Sequence, residues 1–246
     1  MPRSWHILLI GSQSHLELTI NMRFSKKALL LASLISAHSH YVLAEIEPYS
    51  CRNGHFPSYQ DMKLGFVRES ISDRSYFYDD GTGCPYKDTC KENAYIVPSD
   101  EILVSKTQDG WSCVWYQGTN REFVGWMRSE NLGLKLYEDN YSLSDWVGDW
   151  RFIGTDTYLK ITQAQQAKLN VSGKAYWSNG RGLTNYGSVD ETGFPNGMNL
   201  EVKSGDEIYD CKVHLRLLQE YLVVYDNKTC GGMNVNFDGV YLKKTN

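Results

Sequence analysis

The six cysteines constrain the fold of this 246-residue chain more than any other feature of its sequence. They are Cys51, Cys84, Cys90, Cys113, Cys211 and Cys230. An even number of cysteines in an exported chain is typical of disulfide bonds formed in an oxidising compartment. The alternative use of these residues is a zinc site. Because the chain contains no C-x-x-C pair, and only His55 and His214 follow the first cysteine as imidazole ligands, we predict disulfide bonds and no metal site.

The beginning of the chain has the pattern of an export signal. A basic head at residues 23–27 follows Met22, and a largely apolar run extends from residue 28 to residue 37 before the small-residue exit at Val42-Leu43-Ala44. A cleaved secretory signal combines a basic head, an apolar segment of about 7–15 residues and a small-residue cleavage site. We therefore predict a start at Met22 and cleavage after Ala44.

A membrane anchor is the alternative interpretation of this segment. A spanning helix needs about 20 apolar residues, and the apolar run ends too early, at His38. Residues 1–21 belong either to an extended signal region or to a stretch upstream of the true start. We predict a periplasmic or secreted protein that does not span a membrane once residues 1–44 are removed.

The charge balance argues against a polyanionic partner. The chain from residue 45 carries 21 basic and 28 acidic residues, a net charge of −7, without a basic run. Binding to nucleic acid depends on clusters of lysine and arginine that neutralise phosphates. We therefore expect no nucleic acid partner.

Short aromatic and β-branched runs recur between Gly, Asn and Asp turns, and this pattern predicts antiparallel β structure. The strands are predicted at residues 94–97, 102–105, 111–116, 123–127, 158–162, 168–171, 211–217, 221–225 and 235–241. A connector with a polar middle, residues 134–144, separates the two series. The sequence therefore predicts an all-β protein with a leader at residues 1–44 and domains at residues 45–142 and 143–246.

The predicted hairpin around residues 217–221 favours one disulfide pairing among the fifteen that six cysteines allow. The hairpin joins two alternating runs and brings the last two cysteines nearly opposite each other. Closing a loop of that size contributes roughly 3 kcal/mol in the chain-entropy model. Cys84 and Cys90 flank residues 85–89 and could close that segment, which would leave Cys51 to pair with Cys113. Other pairings of these four cysteines stay open. The pairs that we favour are Cys211–Cys230, Cys84–Cys90 and Cys51–Cys113.

Residues 66–132 contain three features in a fixed order: two apolar runs joined by a polar turn at residues 94–104, a D-G-W strand entry at residues 109–111, and a closing G-W-M…L at residues 125–132. This order resembles bacterial SH3-type domains. The chain departs from the family pattern at an inserted cysteine segment, residues 83–90. The resemblance implies a small SH3-like barrel that acts as an adaptor for a cell-envelope peptide or protein.

Aromatic residues of this region could form a groove that docks an extended peptide. The candidates are Tyr76, Tyr78, Trp111, Trp115 and Trp126. By strand alternation Trp111 and Trp115 share a face with Cys113, and a face that holds a disulfide cysteine is usually core. We therefore predict that the tryptophans are packing residues and that Tyr116, on the opposite face, is a better candidate. The predicted peptide-binding residues are Tyr76, Tyr78 and Tyr116.

The C-terminal half opens with W-V-G-D-W at residues 146–150 and closes with N-V-N-F-D-G-V-Y at residues 234–241. We predict a small antiparallel barrel whose first and last strands could pair and remove the open edges. The ending at residues 226–235 resembles C-terminal modules of uncharacterised exported bacterial proteins, some of them lysozyme-inhibitor-like. The resemblance covers about residues 146–243 and implies no activity.

The segment Ser172-Gly173-Lys174-Ala175-Tyr176 matches the S-G-x-x-Y motif of membrane-associated C-type lysozyme inhibitors. Strand alternation points Ser172, Lys174 and Tyr176 outward. It points Leu169, Val171, Ala175 and Trp177 inward. A lysine on such a face can pair with the two carboxylates of a glycosidase cleft. The alternative is an ordinary solvated strand face.

Motifs of catalysis are missing from the sequence. Only His55 and His214 could serve as the imidazole base of a nucleophilic triad after residue 44, and we interpret His214 as a solvated strand residue. No G-x-S-x-G, H-E-x-x-H or phosphate-binding glycine motif occurs. The acidic pairs Asp79-Asp80 and Asp190-Glu191 leave a hydrolase as an alternative. We predict that the protein is not an enzyme and needs no cofactor.

The leading functional hypothesis is an exported binding protein that recognises a cell-envelope peptide or protein. One alternative is an inhibitor of a lysozyme-type cell-wall hydrolase. A second is a structural domain pair within a larger envelope assembly.

Overall fold

Two antiparallel sheets of seven and eight strands form the described part of the protein. The computed structural model describes residues 49–59, 61–69, 73–137 and 140–244, and the predicted leader and signal at residues 1–44 lie outside them. Helical structure within these ranges is limited to two short α-helices, α1 (His55–Ser58) and α2 (Leu143–Trp146), and two 3-10 turns. The all-β prediction is therefore confirmed.

The first sheet has the strand order β3-β2-β6-β5-β4-β1-β7. Its strands are β1 (Lys63–Val67), β2 (Ser75–Tyr78), β3 (Lys91–Ile96), β4 (Glu101–Gln108), β5 (Trp111–Gln117), β6 (Glu122–Arg128) and β7 (Leu132–Leu134). The sequence predicted β3 to β6 but not the other three. β2 and β7 are only four and three residues long. β1 contains Gly65, which weakens a strand pattern; a Cβ there would lie 2.8 Å from the carbonyl oxygen of Gly133 on the neighbouring β7.

Strand β5 lies at the centre of the first sheet and is buried on both faces. Trp111, Cys113 and Trp115 face one hydrophobic cluster, whereas Val114 faces a second cluster together with Phe77 of β2. The prediction that the tryptophans are packing residues is therefore confirmed.

The second sheet is an up-and-down meander that nearly closes into a barrel. Its strands are β8 (Gly148–Phe152), β9 (Tyr158–Gln163), β10 (Leu169–Ser178), β11 (Thr184–Gly193), β12 (Asn199–Lys203), β13 (Lys212–Leu218), β14 (Tyr221–Asp226) and β15 (Gly239–Lys243). Each strand pairs with its neighbours in the chain except at β11 and β12, and the first strand β8 pairs with the last strand β15. The predicted pairing of first and last strands is confirmed.

The predicted strands omit β8, β11 and β12, and two of the differences have a local cause. β11 escaped prediction because its sequence, T-N-Y-G-S-V-D-E-T-G, is mostly polar and contains two glycines. The predicted last strand at residues 235–241 begins only at Gly239. The residues before it fold back on β14, where the backbone N–H of Phe237 donates to Asp226 (2.8 Å) and the backbone N–H of Asp226 donates to Asp238 (3.0 Å).

The barrel interior is a packed core. Inward-facing side chains such as Trp150, Ile161, Val171 and Leu215 are buried, together with Trp146 of α2. Small barrels of about eight strands are usually filled by their own side chains in this way. Surfaces that could bind a partner therefore lie outside the barrel wall.

Three disulfide bonds connect the six cysteines in the pairing that the sequence favoured. They are Cys51–Cys113, Cys84–Cys90 and Cys211–Cys230. The first ties the N-terminal segment to β5, the second closes the inserted segment, and the third joins the residue before β13 to the segment that follows β14.

A single hydrophobic cluster, which we call the junction cluster, joins the two sheets. It contains Trp115 and Leu103 of the first sheet, Phe56 of α1, and Tyr221 and Val223 from the outer wall of the barrel. The last strand of the first sheet ends at Leu134 and α2 begins at Leu143. The two predicted domains thus share core residues across their junction, and their division at residue 142 stays a prediction.

The bridge Cys51–Cys113 should contribute more to stability than Cys84–Cys90, because it spans 62 residues rather than six. The chain-entropy model gives about 4 kcal/mol for the long loop and about 2 kcal/mol for the short one. We expect Cys51→Ala/Cys113→Ala to lower the free energy of unfolding in urea more than the matched double variant Cys84→Ala/Cys90→Ala. An equal or smaller loss for the long bridge would contradict this.

Candidate functional site

The three motif residues Ser172, Lys174 and Tyr176 lie on β10 and point away from the barrel core. Lys174 is exposed, Ser172 is half-buried, and Tyr176 keeps 41% of its surface exposed. The residues predicted to point inward behave as expected: Leu169, Val171 and Ala175 are buried, and Trp177 is partly buried against the core. The predicted orientation of both sets is confirmed, whereas their role in binding stays a prediction.

Neighbouring strands extend this surface, which we call the barrel face, across β8 to β11. The strand register places side chains of four strands in two rows. The first row consists of Arg151, Tyr158, Lys174 and Ser188, and the second of Asp149, Lys160, Ser172 and Asp190. Cross-strand neighbours on one face interact directly. The motif residues are thus parts of two rows of polar side chains.

The two rows differ in charge. The second row contains two carboxylates, and Lys160 lies directly opposite Asp149. The first row contains two cations and no acid; Arg151 lies 4.9 Å from the ring centre of Tyr158. Lys174 has Tyr158 and Ser188 as its cross-strand neighbours and forms no ion pair within the residues described. Its ammonium group is available to a carboxylate of another molecule.

Exposed apolar side chains adjoin this row where the β10–β11 hairpin turns. Tyr186 lies opposite Tyr176 and is 69% exposed. Leu183 and Met233 are 55% and 79% exposed. Asn185 donates a hydrogen bond to the carbonyl oxygen of Met233 (2.8 Å), so the loop that carries Met233 is held against β11. Exposed large apolar side chains near polar groups are a feature of protein interaction sites.

The three tyrosines predicted to line a peptide groove on the first sheet are not brought together. Tyr76 pairs with Tyr95 at 5.7 Å, and the ammonium of Lys91 lies 3.7 Å from its ring centre. Tyr78 packs edge-on against Trp111 at 4.7 Å on the junction cluster. Tyr116 packs instead on the cluster that contains Phe77, on the other side of the sheet. Tyr78 and Tyr116 therefore face opposite sides of the sheet.

The acidic pair Asp79-Asp80, which left a hydrolase open, has a structural role. Asp79 accepts a hydrogen bond from the guanidinium of Arg52 (3.0 Å), and Asp80 accepts the backbone N–H groups of Cys51 (2.9 Å) and Arg52 (2.8 Å). Arg52 also binds Glu92 (2.6 Å) and the carbonyl oxygen of Val124 (2.7 Å). These bonds anchor the N-terminal segment to the first sheet. The sequence could not indicate them because the partners of Arg52 lie 27 to 72 residues away.

Glu122 is an acid whose pKa the fold perturbs through burial. Burial beside the junction cluster raises the pKa of its carboxyl group, while a hydrogen bond from the indole N–H of Trp115 (2.6 Å) acts in the opposite direction. Perturbed carboxyl groups are common in active sites but also occur in structural networks. Its bond to a core tryptophan is that of a structural group.

His214 contacts two side chains rather than only solvent. It lies on the outer wall of β13, opposite in direction to the buried Val213 and Leu215, as predicted. Its Nδ1 lies 3.1 Å from a carboxylate oxygen of Glu201, and its ring stacks on Tyr225 at 4.5 Å. The sequence did not indicate this group because its members come from three strands.

Metal binding and membrane spanning find no support among the residues described. No group of three or more His, Cys, Asp and Glu side chains in these ranges is arranged to hold a metal ion. No helix in the same ranges is long and apolar enough to cross a membrane.

Comparison with protein-family models, with curated protein sequences and with solved structures finds no match to this chain. The SH3-type and lysozyme-inhibitor-like resemblances therefore remain predictions that depend on their motifs.

Proposed function

We propose that the protein is an exported, non-enzymatic binding protein that recognises a cell-envelope protein or peptide through the barrel face. The observation that carries this proposal is the joint exposure of Lys174, Tyr176 and Tyr186 on β10 and β11. Tyrosine is enriched among the residues that dominate binding energy in protein interfaces. A cation that forms no ion pair within the residues described adds specificity for a partner that presents a carboxylate.

The rigidity of the barrel supports this proposal. The backbone of β10 is paired on both sides, with β9 over six residues and with β11 over ten. Side chains held on a paired sheet lose less conformational freedom on binding than those of a loop, so less of the interaction energy is offset. The three disulfide bonds are in keeping with an oxidising compartment outside the cytoplasm.

We expect Tyr186→Ala and Lys174→Ala to weaken binding to the envelope partner at least tenfold, since one well-placed interface residue is worth 1.4 kcal/mol or more. The measurement is capture from solubilised envelope and isolated peptidoglycan by the chain from residue 45, followed by an affinity titration of the captured partner. Lys63→Ala, an exposed lysine of the first sheet, is the matched control. Retention of nothing by the unaltered protein, or equal retention by all variants, would contradict the proposal.

Inhibition of a lysozyme-type hydrolase is a second candidate, favoured by the unpaired Lys174 between Ser172 and Tyr176 on the barrel face. A glycosidase cleft presents two catalytic carboxylates, and an exposed ammonium group flanked by hydroxyl groups can bind one of them.

The inhibitor hypothesis predicts that excess protein slows the clearing of a cell-wall suspension by at least one type of lysozyme. Lys174→Ala should then raise the concentration for half-inhibition at least tenfold, whereas Lys174→Arg, which keeps the charge, should retain most of the effect. If no lysozyme type is inhibited, this candidate is wrong while the broader binding proposal stands. If Lys174→Ala inhibits as well as the unaltered protein, the site assignment is wrong.

A further inference from the structure

A cleft of about 440 Å³ lies between the N-terminal segment and the outer wall of the barrel, away from the barrel face. Pro57, Tyr59 and Met62 line it on one side. The opposite side is the outer wall of β12 to β14, next to the part of this wall that the junction cluster covers. Pockets for small molecules commonly have volumes of about 300–1,000 Å³ and lie where domains meet.

A fixed aromatic pair forms part of the barrel side of this cleft. The rings of His214 and Tyr225 are nearly parallel, with an interplanar angle of 11° and a centroid distance of 4.5 Å. A carboxylate oxygen of Glu201, on the next strand, lies 3.1 Å from the Nδ1 atom of His214. This contact and the stacking on Tyr225 define the position of the ring. Such a pair offers an apolar surface edged by polar groups.

A guanidinium group lies one row away on the same wall. Arg216 is the register neighbour of Asn199, and its Nε donates to the side-chain oxygen of Asn199 (3.0 Å). This bond orients the guanidinium. Among the residues that the structure describes, no carboxylate lies within ion-pair distance of Arg216. An oriented arginine without an acid of its own matches the geometry of a ligand carboxylate, which it can bind through two parallel hydrogen bonds.

The remaining polar side chains of the cleft are suited to hydrogen bonds with hydroxyl and amide groups of a ligand rather than to further charged groups. The side chains of Asn196 and Asn199 can donate and accept hydrogen bonds, and the carboxylate of Glu201 accepts them. The opposite wall is held in place, since the hydroxyl of Tyr59 donates to the carbonyl oxygen of Ser50 (2.7 Å). A ligand with one carboxylate, several hydroxyl groups and an apolar ring face would satisfy all of these groups.

We propose that this cleft binds an acidic saccharide, with Arg216 on the carboxylate, the His214–Tyr225 pair against the ring and Asn199 with Glu201 on the hydroxyl groups. An extended acidic peptide fits the cleft less well. Glu201 would repel its several carboxylates, and among the described residues that line the cleft only Arg216 is a cation without an ion pair. The cleft is separate from the barrel face, so a negative result for the saccharide leaves the proposed protein or peptide binding by the barrel face untouched, and the reverse also holds.

The test is a calorimetric titration of the chain from residue 45 with matched sugars. N-acetylmuramic acid differs from N-acetylglucosamine by a lactyl carboxylate, and glucuronic acid differs from glucose by its carboxylate, so the two pairs separate the two sources of an acidic sugar. We expect at least one acid to bind at millimolar or lower concentration, and at least tenfold more tightly than its neutral counterpart. Acetate and a short glutamate peptide are the controls for a carboxylate without a sugar ring.

Substitutions in the cleft then assign the contacts. Arg216→Gln should weaken binding of the acidic sugar at least tenfold, and Tyr225→Ala should weaken both members of a pair. Arg151→Gln, which removes the same charge from the barrel face, should leave binding unchanged, and the thermal midpoints of all variants check that they are folded. Four results would overturn the proposal. The first two are that neither acid shows saturable binding and that an acid binds no more tightly than its neutral sugar. The others are that the glutamate peptide binds more tightly and that folded Arg216→Gln keeps its affinity for the acidic sugar.

Discussion

The contact between Trp115 and Tyr221 is the interaction on which the arrangement of the two sheets depends. The two rings meet edge to face at 5.5 Å within the junction cluster. The hydroxyl of Tyr221 donates to a carboxylate oxygen of Glu101 at 2.9 Å, and burial together with this bond raises its pKa above the ordinary value. A barrel wall would normally face water; here part of it is core. The two sheets therefore form one packed structure. The barrel face and the cleft lie on other parts of the outer wall of the barrel.

The N-terminal segment makes the second structural connection. The disulfide Cys51–Cys113 and the hydrogen bonds of Arg52 hold it against the first sheet, and Phe56 of α1 enters the junction cluster. Solitary surface ion pairs contribute little to stability. Arg52, however, binds two carboxylates and a backbone carbonyl, while Asp80 accepts the backbone N–H groups of Cys51 and Arg52. The same segment continues into Pro57 and Tyr59, so the bonds that stabilise the fold also shape one wall of the cleft.

The sequence was sufficient to predict those features that depend on residues close together in the chain. The alternation of Ser172, Lys174 and Tyr176 on β10 and the bridge Cys211–Cys230 depend only on strand periodicity and one hairpin, and the fold has both. Strand β11 could not be predicted because its partner β10, rather than its own polar sequence, determines its conformation. The cleft was beyond prediction for a similar reason, since Tyr59, Glu201 and Arg216 become neighbours only through strand register and the packing of the two sheets. The groove expected from Tyr76, Tyr78 and Tyr116 failed to form because Tyr78 of β2 packs on the junction cluster, whereas Tyr116 of β5 packs on the cluster that contains Phe77, on the other side of the sheet.

Equilibrium unfolding in urea, followed by tryptophan fluorescence and by backbone circular dichroism, tests most directly whether the two sheets form one cooperative unit. Tryptophans lie in both cores, so each sheet contributes to the signal. A shared core predicts one coincident transition, with a loss of about 3 kcal/mol for Tyr221→Ala, in the range for a large buried aromatic side chain. Two separate transitions, or a Tyr221→Ala variant in which one transition keeps its midpoint, would contradict the shared core.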